Sequence, residues 1–396
     1  MGGRREYFRS ALVITEVAGS LVLLVGFGLL TRALGRIQSV DPGFRADHVL
    51  TLRTSLPMPR YQRFESREPF YRHVLDKARL LPGVTGAAYT SFLPVAFGGG
   101  IWPVGIEGHS EDVAHRGSAS LRFVTPGFFA TMGIPLLAGR DVRLTDSSSA
   151  PYVALVSQSF VLRYCSGFNP LGRHINIGNQ DRMVIGVVGT IRTRGLENSS
   201  EPQVYVSWQQ PDGVSTWYAP KDLVVRTTAD PSALANSLRR IIREADADEP
   251  VTDVRTLTEV VESNTAARRV QLAMLGAFGS LAILLAAIGI HGLLAFTVSS
   301  RTQELGVRIA LGATRINIIC MTVGEALKLA GIGIGAGIMI AYGAGRLLQS
   351  LLAGVDPWDL ETLVIAIAVA LFMTIAGSLL PAIRASRIDP TTAMRQ

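Results

Sequence analysis

Lysine is nearly missing from this 396-residue chain, which has only Lys77, Lys221 and Lys328, none of them preceded by glycine. A phosphate-cradling P-loop ends on Gly-Lys, so the chain carries no such nucleotide site of its own. The two cysteines, Cys165 and Cys320, are far apart and lack companions, which excludes a disulfide scaffold and a cysteine zinc site. The six histidines show no i,i+4 pairing, and neither H-E-x-x-H nor G-x-S-x-G occurs. Asp146 with Ser147, Ser148 and Ser149 reads as a turn rather than a nucleophile site. No catalytic, cofactor-binding or metal-ligating residues are therefore expected. Charge is also scarce, at 17% against the usual quarter. The formal charge is +7, but no basic stretch is interleaved with aromatics as a nucleic-acid groove would need.

What replaces the missing charge is long apolar sequence. Hydrophobic residues make up 48% of the chain and the mean hydropathy is +0.31. An uncharged run of about 20 residues spans a hydrocarbon core of about 30 Å. Four such runs are expected: Ala11–Thr31, then about 272–298, 329–345 and 362–380, the last ending at Pro381. The first is too long for a signal-peptide core and is followed by a poor cleavage site, so it reads as a retained anchor. It is interrupted by Glu16, which is close enough to one end to reach the interface. His291, inside the second run, reads as a packing or interface residue, with a proton relay as the alternative. Residues 317–328, with Glu325 and Lys328, are expected at the interface before the third helix begins. Within that helix Gly333, Gly337, Ala341 and Gly345 recur every four residues, the spacing that lets helix backbones approach closely in lipid.

Between the first two runs, residues 33–268 read as a soluble α+β domain. Strands are expected at Val49–Ser55, Val84–Ser91, Ala119–Thr125, Val153–Val156, Met183–Ile191, Gln203–Trp208 and Leu223–Thr227. Helices are expected at Phe64–Leu81 and Pro231–Ala245, the latter capped by Asp230 with proline at its first position. Asp112–Ser118 and Asp212–Pro220 read as exposed loops. The order of elements is not a clean βαβ alternation, which argues against a doubly wound sheet.

Residues 302–315, TQELGVRIALGATR, are too polar to enter a bilayer and sit between two apolar runs. They read as a short amphipathic helix. Glu304, Arg308 and Arg315 share one side with Leu311 between them, while Leu305, Ile309 and Gly312/Ala313 line another. Glu304 before Arg308 is the favourable order for an i,i+4 pair. The N-terminus, this loop and the tail are rich in arginine, whereas 346–361 sets Arg346 against Asp356, Asp359 and Glu361. The positive-inside rule then places both termini and the 302–315 helix in the cytoplasm and the large domain outside.

ELGVRIALGA within that helix resembles the cytoplasmic coupling segment of FtsX-like permeases, the family that includes MacB-type transporters. PAIRASRIDPTTAMR resembles the family's closing motif, and TPGFFATMGIPLLAGRDV a recurrent stretch of its extracytoplasmic domain. The opening RSALVITEVAGSLVLLVGFGLLTRALGRIQSVDPGF is similar to the start of the second half of duplicated orphan-type permeases. The resemblance implies an α-helical membrane protein with four transmembrane helices and a large extracytoplasmic α+β domain between helices 1 and 2. Its expected divisions are 1–32, cytoplasmic N-terminus and first helix; 33–268, a MacB-like periplasmic core of two subdomains; and 269–396, an FtsX-like permease domain. It implies an inner-membrane permease subunit of an ABC-type system, with ATP held by a separate ATPase subunit and no cofactor in this chain. A second permease half or a homodimer partner is expected, with a periplasmic adaptor as a further candidate partner. The matching coupling residues are Glu304, Leu305, Gly306, Arg308, Ala310, Gly312 and Ala313. The alternative function is a membrane scaffold that recruits a periplasmic partner, such as a cell-wall hydrolase, without transport.

Overall fold

In the computed structural model, the structure describes residues 2–57, 60–96, 99–106, 117–196, 200–210, 219–300, 302–311, 313–347, 355–356 and 358–387. The chain divides into two compact units, Met1–Ser39 with Ala267–Gln396, and Val40–Ala266.

The first unit is helical. Helix α1 covers Gly2–Gln38, α6 Leu257–Ser300, α7 Thr302–Ala310, α8 Arg315–Leu347 and α9 Leu360–Ala385. Four of them are long and apolar enough to cross a membrane: Ser10–Gln38, Arg269–Ser299, Arg315–Leu347 and Leu360–Ala385. Hydroxyls inside these helices bond back to carbonyls one turn earlier, as from Ser20 to Glu16 at 2.7 Å, Thr31 to Phe27 at 2.8 Å and Thr374 to Ala370 at 2.8 Å. That satisfies them where no water is available.

Two expectations about these helices need correction. Helix α8 does not start near 329 but at Arg315, so 317–328 is already helical. Its 33 residues span about 50 Å, roughly 20 Å more than the hydrocarbon requires. Pro381 does not end the last helix but lies inside α9. Proline removes a single backbone bond, and packing against neighbouring helices compensates for it. Glu16 lies against α6. Its Oε2 is buried with no hydrogen-bond partner, and it occupies the space that a Cβ on Gly289 of α6 would fill.

Val40–Ala266 is built on one continuous sheet. Its strands are β1 Val49–Thr54, β2 Val84–Thr90, β3 Ile101–Ile106, β4 Gly117–Val124, β5 Leu136–Gly139, β6 Val153–Ser157, β7 His174–Ile177, β8 Gln180–Val188, β9 Gln203–Ser207, β10 Asp222–Thr227 and β11 Val251–Thr256. The order is β11-β1-β10-β2-β4-β3-β7-β8-β6-β9, with β5 added to β8. Strand β9 also pairs in parallel with β4, from Ser120↔Gln203 to Val124↔Ser207. The ring β4-β3-β7-β8-β6-β9 is therefore closed into a small barrel. The remaining strands, β11-β1-β10-β2, form an open antiparallel sheet joined to the barrel through the single pair Thr90↔Val124.

Each half has its own core. Against the open sheet pack α2 (Phe64–Arg79) and α5 (Ala235–Ala245), burying Phe70, Tyr71, Val74, Leu238 and Ile242 with Leu50, Leu52 and Tyr89. Inside the barrel lie Val104, Leu121, Phe123, Val156, Phe160, Ile175 and Val204. Cys165 belongs to this second core and is buried, whereas Cys320 is exposed. Asp230 caps as expected, its carboxylate accepting the Ser232 amide at 3.0 Å. The turn it starts is a 3-10 turn, Pro231–Leu234, and α5 follows only from Ala235. Strands β3, β5, β7 and β11 were not expected. Strands β7 and β8 are joined by Gly178 and Asn179, both at positive φ, the two-residue turn that a hairpin favours. Gly117 and Ser118, expected in a loop, open β4. Residues 112–116 and 212–218 of the two expected loops lie outside the described residues.

Candidate functional site

Helix α7 is held at both ends by apolar helices and is fixed by its inner face. Leu305 is 2% exposed and packs with Ile318 of α8 and Ala385 of α9, and Val298, Ile309, Ala313 and Met321 surround them. Leu305 and Ile309 follow at i,i+4 on one face of α7, and Ala313 joins them from the turn that follows. Expected as one helix to 315, the segment instead stops at Ala310. The amides of Leu311 and Ala313 close back on Val307 and Arg308, and α8 restarts at Arg315. Thr314 accepts the Asn317 amide at 3.3 Å, capping the new start. Arg315 therefore belongs to a different helix from Glu304 and Arg308, and the three charges do not form one ridge.

The outer face is a charged pair beside an apolar row. Arg308 Nη2 donates to Glu304 Oε1 at 2.5 Å, both side chains about half exposed at 46% and 50%, while Arg308 Nη1 contacts the Met321 sulfur at 2.7 Å. Val307 is 43% exposed, Leu311 82% and Ile316 71%. These three apolar side chains lie at or beside the turn between α7 and α8. The sequence reading placed Leu311 among the charges and did not single out Val307 or Ile316. A count of apolar residues left over after the Leu305 stripe would have found them. Gly306 and Ala310 lie on α7, but their side-chain surroundings are outside the described residues, as is Gly312 entirely.

The small-residue stripe of α8 faces α1. A Cβ on Gly333 would come within 3.0 Å of the Ile14 carbonyl oxygen and 2.9 Å of Val17 Cβ. One on Gly337 would come within 3.0 Å of the Ala18 carbonyl and 2.9 Å of Leu21 Cδ2. Ala341 and Gly345 continue the buried stripe, whereas Gly331 and Gly335, on the adjacent strip, have nothing within 4 Å. At the opposite end of α1, Arg32 Nη1 bonds Asp359 Oδ1 at 2.6 Å and its Nη2 reaches Glu361. Asp359 also caps α9 by accepting the Thr362 amide at 2.9 Å. Arg346, the one basic residue of the acidic 346–361 stretch, packs on an aromatic ring. Arg346 lies over the Tyr342 ring, 5.1 Å from its centroid, and Tyr342 meets Trp358 edge-on at 5.0 Å. Among the described residues no cluster of three or more His, Cys, Asp or Glu side chains could hold a metal.

Residues 11–244 match the family described as MacB-like periplasmic core domain, and residues 276–390 match FtsX-like permease C-terminal. Over 293 residues the chain is 25% identical to the pyoverdine export ATP-binding/permease protein PvdT of Pseudomonas entomophila, covering 71% of this chain and 44% of that protein. It is 21% identical over 287 residues to the uncharacterized ABC transporter permease YknZ of Bacillus subtilis, covering 72% and 71%. With the macrolide export ATP-binding/permease protein MacB of an Azoarcus species it shares 22% over 401 residues, covering 99% of this chain and 58% of that one. The chain thus spans about half the length of the pyoverdine and macrolide export proteins.

Proposed function

This chain belongs to the FtsX-like permeases with a MacB-like periplasmic core domain, and from that premise we propose that it couples a separate cytoplasmic ATPase to its extracytoplasmic domain. On this reading it is a multi-pass inner-membrane permease subunit with both termini cytoplasmic. Its outer core domain comprises 33–268 and its permease domain 269–396. ATP binding closes the ATPase beneath α7, the helices shift together, and the outer domain changes shape to move or extract a substrate from the periplasm or outer leaflet. A second permease half or a second copy completes the assembly, and a periplasmic adaptor is a further partner. Two relatives are named for export and carry ATP-binding regions in the same chain, which supports an ATPase partner for this one.

The observation that carries the reading is the two-sidedness of α7. Its Leu305 face is spent on its own protein, while Val307, Leu311 and Ile316 are turned outward next to the Glu304–Arg308 pair. An exposed pair contributes only about 0.3–0.5 kcal/mol, so Glu304→Arg leaves folding intact. In a desolvated contact the same reversal sets like charges together. Leu311→Asp, at a side chain 82% exposed, removes an outward apolar group without touching the core. Both variants are expected to insert and fold while losing at least tenfold in co-purified ATPase. Full retention of the ATPase and of activity in both would sink the coupling assignment and leave the scaffold reading.

A further inference from the structure

Strand β11 is an edge of the open sheet and leads without a break into α6. The short segment that delivers the chain from α5 to β11 contains two buried carboxyl groups. Asp246, 5% exposed, closes α5 and is well supplied with donors: the Tyr61 hydroxyl at 2.6 Å, the Asp248 amide at 3.1 Å and Arg60 at 3.2 Å. Glu249 is 4% exposed and poorly supplied. One of its oxygens accepts the amide of Ser55, the residue after β1, at 2.5 Å; the other is buried with no hydrogen-bond partner. No cation forms an ion pair with Glu249 among the described residues. The charge that acts on it is that of Asp246; the hydroxyl pKa values of Tyr61, Tyr71 and Tyr89 in the surrounding core are raised by burial, and these groups stay neutral. The nearby cation, Arg60, is taken by Asp246.

We infer that Glu249 is a proton-operated catch on β11: as the neutral acid it fastens the start of this strand to the end of β1, and as the carboxylate it releases that end to water. A buried carboxylate with one free oxygen and a like charge as neighbour gains by opening toward solvent, whereas the neutral acid does not. Burial pushes the Glu249 carboxyl up to about 7, the Ser55 amide opposing this and the Asp246 charge adding to it. The closed contact, whose pKa is raised, is therefore fully stable below the ordinary glutamate value of 4.5. It weakens as pH rises from there through about 7. Between pH 6 and 8 the two values give about a tenfold loss of protection.

Hydrogen exchange of the full chain in detergent micelles, followed by mass spectrometry and corrected for the intrinsic pH dependence of exchange, tests this. Peptides spanning 246–256 and 50–56 should lose about tenfold in protection between pH 6 and 8, while barrel peptides over β6 should not. Glu249→Gln, uncharged and of the same shape, should abolish the step and stay closed at pH 8. Asp246→Asn removes the neighbouring charge and should keep the step but move it to lower pH. A wild-type chain with no step, a Glu249→Gln chain with the same step, or an Asp246→Asn chain whose step does not move would each overturn the catch.

Discussion

Asp146 shows how a residue that reads as part of a serine-rich turn becomes a fixed point of the fold. It is 5% exposed and takes both prongs of Arg140, at 2.8 and 2.9 Å, together with the Arg143 amide at 2.8 Å. Burial pushes its carboxyl up, but the Arg140 fork and the Arg143 amide outweigh burial and hold it below the usual aspartate value. A depressed acid contributes stability above its ordinary value, and that contribution is lost as pH falls through the lowered one. Asp146→Asn should therefore cost about 2 kcal/mol at pH 7 and progressively less as pH falls below the ordinary aspartate value of 3.8, read as the difference in thermal unfolding of the full chain. An equal loss at every pH would mean that charge is not what Asp146 supplies. The turn itself was legible, because Asp and Ser favour turns locally. Its partner was not, because nothing in a single sequence ties an aspartate to one arginine among 35. The same holds for Arg32 and Asp359, which are 327 positions apart. Glu304 and Arg308 could be read because helical spacing alone brings them together.

At the level of elements, the apolar runs gave the number and order of the long helices, because a bilayer imposes a length on sequence. Their ends were read too short. Helical structure continues past the hydrocarbon in α1, α6 and α8, where polar residues no longer signal anything to a hydropathy count. Strands were found where buried β-branched runs are long and were missed where strands are short or exposed. Strand β5, with all four residues exposed, carries no alternation to read. The α8 glycines give a sharp test. Gly337→Leu must displace the Ala18 carbonyl and Leu21 of α1, whereas Gly335→Leu enters open space. Leucine is at home in lipid, so both variants should insert. Overpacking costs about 1–3 kcal/mol, so only Gly337→Leu should lower the unfolding temperature of the purified chain, by several degrees. Equal melting of the two variants would show that α1 does not pack on this stripe.

For the whole molecule, the arginine bias makes a prediction about sidedness that the two native cysteines alone cannot test. Cys165 lies in the barrel core and is closed to reagents, while Cys320 is exposed on α8. Leu162, 71% exposed on α4 (Gln158–Tyr164), offers a better handle. In intact cells with a permeable outer membrane, an impermeant maleimide should label Leu162→Cys and spare Cys320. Permeabilising the inner membrane should then expose Cys320 to the extent that lipid leaves it open. Labelling of Cys320 alone in intact cells would reverse the orientation.

The contacts of α1 also set a timetable for manufacture. Its glycine-facing groove is filled by α8, its Gly28 by the Thr362 methyl of α9, and its Arg32 by Asp359 at the head of that same helix. Translation at about 5–20 residues per second separates Arg32 from Asp359 by roughly 15–65 seconds. For most of that interval, until α8 (Arg315–Leu347) follows, the groove of α1 stands open, and Arg32 waits to the end of it for Asp359. A nascent chain halted before α9 thus carries α1 with its α8 contact available but with Gly28 and Arg32 still lacking the Thr362 and Asp359 they meet in the finished chain.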